Sequence, residues 1–157
     1  MGLLAGVYGD IATATGNVTR LLDDGSALAV WRRMVELQGG DAGVCDAPDK
    51  ILPAAKICRD LGAPASGYVA GVDPLIIGRV VLQLGAGRQQ QTDNIDHSVG
   101  LDRLVQTGAY VERGAPLMRL HGRSADDIEA LSAQALSAIT LTATPPPAQP
   151  HILDITL

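Results

Sequence analysis

The chain has 157 residues and a mass of 16.3 kDa, enough for one domain with a conventional core, or for one domain and a short helical lead-in. Twelve basic residues against 17 acidic ones give a net charge of −5 and a pI near 5.0. This leaves no electrostatic footprint for a phosphate backbone, and with no Phe, one Trp and three Tyr there is no stacking platform for single strands. Nucleic acid is therefore not an expected partner. A hydrophobic share of 46% excludes a disordered tail. Cys45 and Cys58 form no CxxC pair and have no ligand cluster near them, so no metal site is expected. A disulfide between them is open but unforced, and reduced thiols in a cytoplasmic protein are the expectation. The opening stretch, Met1 to Gly16, is apolar at first but lacks a basic region and meets Asp10 early. It is too short and polar for a membrane span and poor as a signal peptide.

From Leu3 to Leu37 the pattern is helical. Val18, Leu21 and Leu22 share a face, Asp23-Asp24-Gly25 breaks it, and Ser26 is expected to cap a second helix with Leu28, Trp31 and Val35 on one side. Gly39 and Gly40 end that helix as left-handed caps commonly do. Residues 41 to 53 read as loop, punctuated by Pro48 and Pro53. Gly67 to Val72 reads as a strand. Ile76 to Leu84 suits helix or strand by length, and helix is the reading taken. Gly85-Ala86-Gly87-Arg88 stops it, and Gln89 to His97 is a polar loop without periodicity.

Short strands follow over Val99 to Val105, Tyr110-Val111 and Pro116 to His121, divided by glycines that suggest a compact β unit. Ser124 opens a last helix with Asp126 and Asp127 in its first turn, where they favour the helix dipole. Its buried stripe is Ile128, Leu131 and Ala135. Ile139 to Thr142 reads as a returning strand, Pro145 to Pro147 as an extended crossover, and Ile152 to Leu157 as a closing edge strand.

Residues alone assemble no catalytic constellation. His97, His121 and His151 lie in different segments without an i, i+4 partner, which points to solvated or strand-end positions. Asp93 and Asp96 bracket Ile95 in a polar loop, where carboxylates are ordinarily solvated. Ser66-Gly67 lacks the strand, turn and helix context of a nucleophile elbow. The Gly-x-Gly of Gly85 to Gly87, followed by Arg88, could offer backbone N–H groups to a phosphate, but it matches neither the Walker nor the dinucleotide pattern. Val105 to Leu117 resembles the V-x-x-G-x-x-V-x-x-G-x-x-L run of biotinyl and lipoyl carrier domains. Those domains present a modifiable lysine on a hairpin, whereas the lysines here, Lys50 and Lys56, lie far upstream. The run is read as the same kind of barrel-sandwich fold without the swinging arm.

A more specific resemblance spans about residues 15 to 122. Leu22-Asp23-Asp24-Gly25-Ser26-Ala27-Leu28, Met34-Val35 and Gln38-Gly39-Gly40-Asp41 resemble the helix and loop before the C-terminal domain of thymidine and pyrimidine-nucleoside phosphorylases, with Trp31 at a usual aromatic position. Ser66-Gly67-Tyr68-Val69 is similar to that family's SGYV. Ile77-Gly78, Leu84-Gly85-Ala86-Gly87-Arg88, Asp93, Ile95-Asp96 and Val99-Gly100 follow its IG…LGAGR…D-ID-VG order, and Gly108, Val111, Gly114, Pro116 and Leu117 continue it.

The resemblance implies an α+β fold, with a short helical lead-in followed by a barrel-sandwich-hybrid-like β domain and flanking helices. Residues 1–40 would belong to the larger lobe of a parent enzyme, 41–62 would be a linker, and 63–157 the C-terminal β-rich domain. The implied reaction is phosphorolysis of thymidine to thymine and 2-deoxyribose 1-phosphate, with phosphate as co-substrate and no cofactor. The implied partners are the remaining lobes of a cytoplasmic, homodimeric enzyme together with pyrimidine nucleoside and phosphate. The family's phosphate-site and base-holding residues lie N-terminal to anything matched here, so no catalytic residue carries over and the chain is expected to be inactive alone. Arg88, Asp93 and His97 become candidates for a loop closing over the cleft. Equally open is a bland arrangement in which Arg88 pairs with Asp93 or Asp96 and only pins the loop. A non-catalytic barrel-sandwich interaction or ligand-binding module is the alternative to the enzyme reading.

Overall fold

A computed structural model describes residues 2–88 and 90–147. Two compact units divide between Leu52 and Pro53, inside the segment expected as a linker. In the first unit, α1 (Ile11–Asp23) starts at Asp10, whose carboxylate accepts from the Thr13 N–H at 2.7 Å, an N-cap of the usual chemistry. α2 (Ser26–Leu37) begins differently from expectation. Ser26 is its first residue rather than its cap, Gly25 takes the cap position with φ +79°, and the side chain of Asp24 instead accepts from the Ser26 N–H. At the other end the expected glycine stop holds. Gly39 has φ +78°, and Gly40 donates its N–H to Val35 O.

Residues 41–53, expected as loop, contain a 3-10 turn (Ala42–Cys45) and the one-turn helix α3 (Pro48–Ile51). Arg32 ties this turn to α2 through two bonds to the Asp46 carboxylate. None of the described residues of this unit is buried.

The second unit carries two antiparallel sheets of three strands each. One has the order β1-β5-β3, from β1 (Ile57–Gly62), β3 (Gly100–Asp102) and β5 (Pro116–Gly122). The other has the order β4-β2-β6, from β2 (Gly67–Val72), β4 (Tyr110–Val111) and β6 (Ile139–Thr142). β1 falls within the expected linker and was not visible as a strand in the sequence. Its register against β5 sets Cys58 opposite His121 and Asp60 opposite Arg119. β3 is shorter than the expected 99–105 because Arg103 turns to φ +51°, a backbone conformation that ends a strand.

Two helices complete the unit. α4 (Pro74–Val81) confirms the helical reading of Ile76 to Leu84. It starts two residues earlier, with Asp73 capping the N–H groups of Leu75 and Ile76 and Pro74 in the first turn, and it runs into a π turn (Leu82–Ala86). α5 (Ala125–Ser137) starts as expected, with Ser124 Oγ accepting from the Asp127 N–H.

The core lies in two adjoining clusters. Leu61, Val80, Leu84, Val99, Met118, Leu120, Ile128 and Ala135 form the larger one. Ala63, Val69, Val111 and Leu117 form the smaller, and Leu136 and Ile139 pack against both. The α+β class is as expected. No closed barrel is present among the described residues. The expected edge strand Ile152 to Leu157 and His151 lie outside the described residues.

Ile128 has no exposed surface, whereas Leu75 is 72% exposed on α4. Ile128→Ala is therefore expected to destabilise this unit by about 2–5 kcal/mol, and Leu75→Ala to change it by no more than about 0.5 kcal/mol. Urea unfolding followed by circular dichroism checks both, and equal midpoints for the two variants would contradict this core.

Candidate functional site

The glycine-flanked loop between α4 and β3 is built from its two ends inward. Buried Leu84 and Val99 bracket it, so hydrophobic burial pins both entrances. Gly85 follows with φ +106°, a left-handed backbone that glycine adopts without steric cost. Its carbonyl accepts from the Asp96 N–H at 3.0 Å, closing the base of the loop. At the tip, the Asp93 carboxylate accepts from the Gln90 N–H at 2.8 Å while the Asp93 N–H donates to Gln90 O.

Asp96 is the organising carboxylate. Oδ1 accepts from the Ser98 N–H at 2.9 Å and from Ser98 Oγ at 2.6 Å, and Oδ2 accepts from Arg123 Nε at 2.8 Å. These bonds, from Ser98 first and then Arg123, hold the Asp96 carboxyl well below the usual carboxylate range, because each favours the charged form. Arg123 also lies over Gly85 so closely that a Cβ there would sit 2.5 Å from Nη2. Sequence reading did not single out Arg123. It is 27 residues from Asp96, and no local pattern reports a pairing at that separation. Asp96-x-Ser98 is the local polar signal that could have marked this turn.

The structure separates the three sequence candidates. Asp93 lines an open depression of about 290 Å³, together with Leu82, Gly87, Asn94 and Arg123. Arg88 and His97 are exposed and do not line it. Asp96 meets Arg123 rather than Arg88, and Arg88 forms no ion pair among the described residues, so the pinning role considered for Arg88 falls to Arg123. The depression offers a guanidinium, carboxamide and carboxylate groups and backbone polar groups. Among the described residues that line it there is no nucleophile paired with a base. Among the described residues no group of three or more His, Cys, Asp or Glu is placed to hold a metal ion. No described helix is long and apolar enough to cross a membrane, and Cys45 and Cys58 are both free thiols.

Residues 68–142, which contain this loop and most of both sheets, match the model of the pyrimidine nucleoside phosphorylase C-terminal domain. The chain belongs to that family, as its C-terminal portion. It is 42% identical over 120 residues to the thymidine phosphorylase of Burkholderia lata, covering 76% of this chain and 27% of that protein. It is 38% identical over 135 residues to the thymidine phosphorylase of Mesorhizobium japonicum, covering 86% of this chain and 31% of that protein. The chain thus spans less than a third of the length of these curated relatives.

The lowered Asp96 pKa has a defined sign. The carboxylate is stabilised in the folded loop, so its contribution is fully present above the unfolded value of about 3.9 and is lost as pH falls below it toward the folded value. Amide exchange at Ser98 should stay protected from neutrality to about pH 4 and weaken below that. In Asp96→Asn this acid-dependent loss should disappear, and an identical pH profile in the variant would count against the clasp. Gly85→Ala should cost about 1–3 kcal/mol through its positive φ, read as a lowered urea midpoint.

Proposed function

We propose that this chain supplies the C-terminal part of a thymidine phosphorylase, in which phosphate attacks C1′ of the deoxyribose and thymine leaves to give 2-deoxyribose 1-phosphate. The observation that carries the reading is the match of residues 68–142 to the phosphorylase C-terminal domain, together with the identity to two thymidine phosphorylases. The chain's role is structural and recognitional. It contributes the polar loop beside the Gly85–Asp96–Arg123 clasp, and Arg88, Asp93 and His97 face the cleft as parts of a covering loop. The reaction needs no cofactor beyond phosphate as co-substrate. The catalytic residues come from the remaining lobes, so the isolated chain has no turnover.

The two sheets are read as the halves of a barrel-sandwich hybrid. The support is the bond of Ala63 N–H to Ala115 O beyond the end of one sheet and of Gly108 N–H to Val69 O beside the other. A cytoplasmic homodimer that binds neither nucleic acid nor membrane completes the proposal. The helical pair supports a larger parent enzyme over a free-standing module. Leu22 is 67% exposed and Trp31 52%, and an independent module would be expected to bury such side chains itself.

A chimera in which this chain replaces the matching segment of the Burkholderia lata thymidine phosphorylase tests the proposal. It should release thymine from thymidine only when phosphate is present, while the isolated chain releases none. A folded chimera without phosphate-dependent turnover would overturn the reading. In the active chimera, Arg88→Ala should raise KM for phosphate or lower kcat by about tenfold, the worth of one lost charge-assisted hydrogen bond. Unchanged kinetics would reduce the loop to a connector.

A further inference from the structure

The outer face of the β1-β5-β3 sheet aligns a thiol, an imidazole and a carboxylate from three different strands. Cys58 of β1 stands opposite His121 of β5, and its Sγ lies 3.2 Å from His121 Nδ1. On the other side of the ring, His121 Nε2 lies 3.0 Å from Asp102 Oδ1 of β3. Neighbouring charges explain why Asp102 reaches for the ring. Asp102 is directly opposite Arg119, but the Arg119 guanidinium is already held by Asp60, through Nε at 2.6 Å and Nη2 at 2.8 Å. Asp102 therefore faces the imidazole diagonally. The residue paired with His121 on β3 is Gly100, which places no side chain against the ring.

Nε2 is buried and makes no well-aligned hydrogen bond, so the nearby carboxylate is its electrostatic partner. Cys58 itself is exposed, as a reacting thiol must be. Nothing in the loop site or in the proposed phosphorolysis uses these three residues.

We propose that Cys58 is a modifiable thiol, activated by His121 and Asp102, that exchanges with small water-soluble disulfides to form a mixed disulfide. His121 Nδ1 takes the thiol proton, and the Cys58 thiolate attacks one sulfur of the incoming disulfide. A new S–S bond forms, the old one breaks, and the departing thiolate leaves as a thiol with the proton that His121 returns. One disulfide is consumed and one is made, so no outside oxidant is required.

The test uses the full chain, oxidised glutathione at neutral pH, and mass spectrometry of the peptides containing Cys58 and Cys45. Native Cys58 should acquire the adduct about tenfold faster than the same cysteine in the urea-unfolded chain, the direction expected when a base held beside the thiol takes its proton. His121→Asn should bring the native rate down to the unfolded one, with folding verified by circular dichroism. A native rate no faster than the unfolded rate overturns the proposal, as does an unchanged rate in folded His121→Asn. If His121→Asn does not fold, the native-against-unfolded comparison of the unaltered chain decides alone.

Discussion

Strand β5 is the constraint on which the second unit depends. Leu117, Met118 and Leu120 have no exposed surface, and the first two point into different clusters, Leu117 into the smaller and Met118 into the larger. A strand buried on alternate positions needs only one partner layer. A strand whose neighbouring residues are both buried must sit where two layers meet. β5 is also the central strand of its sheet, bonded on one side to β1 and on the other to β3, so its register fixes both neighbours. Its outward positions, Arg119 and His121, are left for charge, and the carboxylates of Asp60 and Asp102 collect around them.

The loop site inherits its order from this strand. Arg123 is the residue after β5 and the one before Ser124, the cap of α5. Both elements are anchored, β5 by its buried leucines and α5 by Ile128 and Ala135. The guanidinium that reaches Asp96 therefore projects from one of the most tightly specified points of the unit. Its exposed ion pair contributes little to stability by itself. Its effect is positional, because it joins the far end of the loop to the core junction while Gly85 O accepts the Asp96 N–H at the near end. A loop fastened at both ends keeps its polar groups in place, the preorganisation that the proposed recognition role would draw on.

What the sequence disclosed follows the range of the interactions involved. α5 was legible because its cap, acidic first turn and apolar stripe all lie within one segment. β6 and the helical reading of Ile76 to Leu84 were legible for the same reason. β1 was not. Ile-Cys-Arg-Asp-Leu-Gly places a polar pair in its middle, and its identity as a strand comes from pairing with β5, more than fifty residues away. Ser26 was misread because a serine before an apolar run satisfies the capping pattern, although Gly25 with its left-handed backbone had already taken that position. The Asp96–Arg123 and Cys58–His121–Asp102 arrangements escaped for the reason that hid β1, since each joins residues from separate segments. The lack of periodicity marked a polar loop after Arg88, but nothing local said which cation meets Asp96.

The distribution of apolar and reactive groups fits the proposed place of the chain in a larger enzyme. In the first unit no described residue is buried, and Leu22, Val30, Trp31 and Leu37 all expose half or more of their surface. Apolar area left in water forgoes about 25 cal/mol per Å² of stabilisation, so a helix pair of this composition gains from a partner surface. In the second unit the loop depression carries polar groups without a nucleophile and base in contact. A binding module complete in itself would explain the second observation but not the first. The proposed place in a phosphorylase fits both, because further lobes of such an enzyme would offer the helices a partner surface.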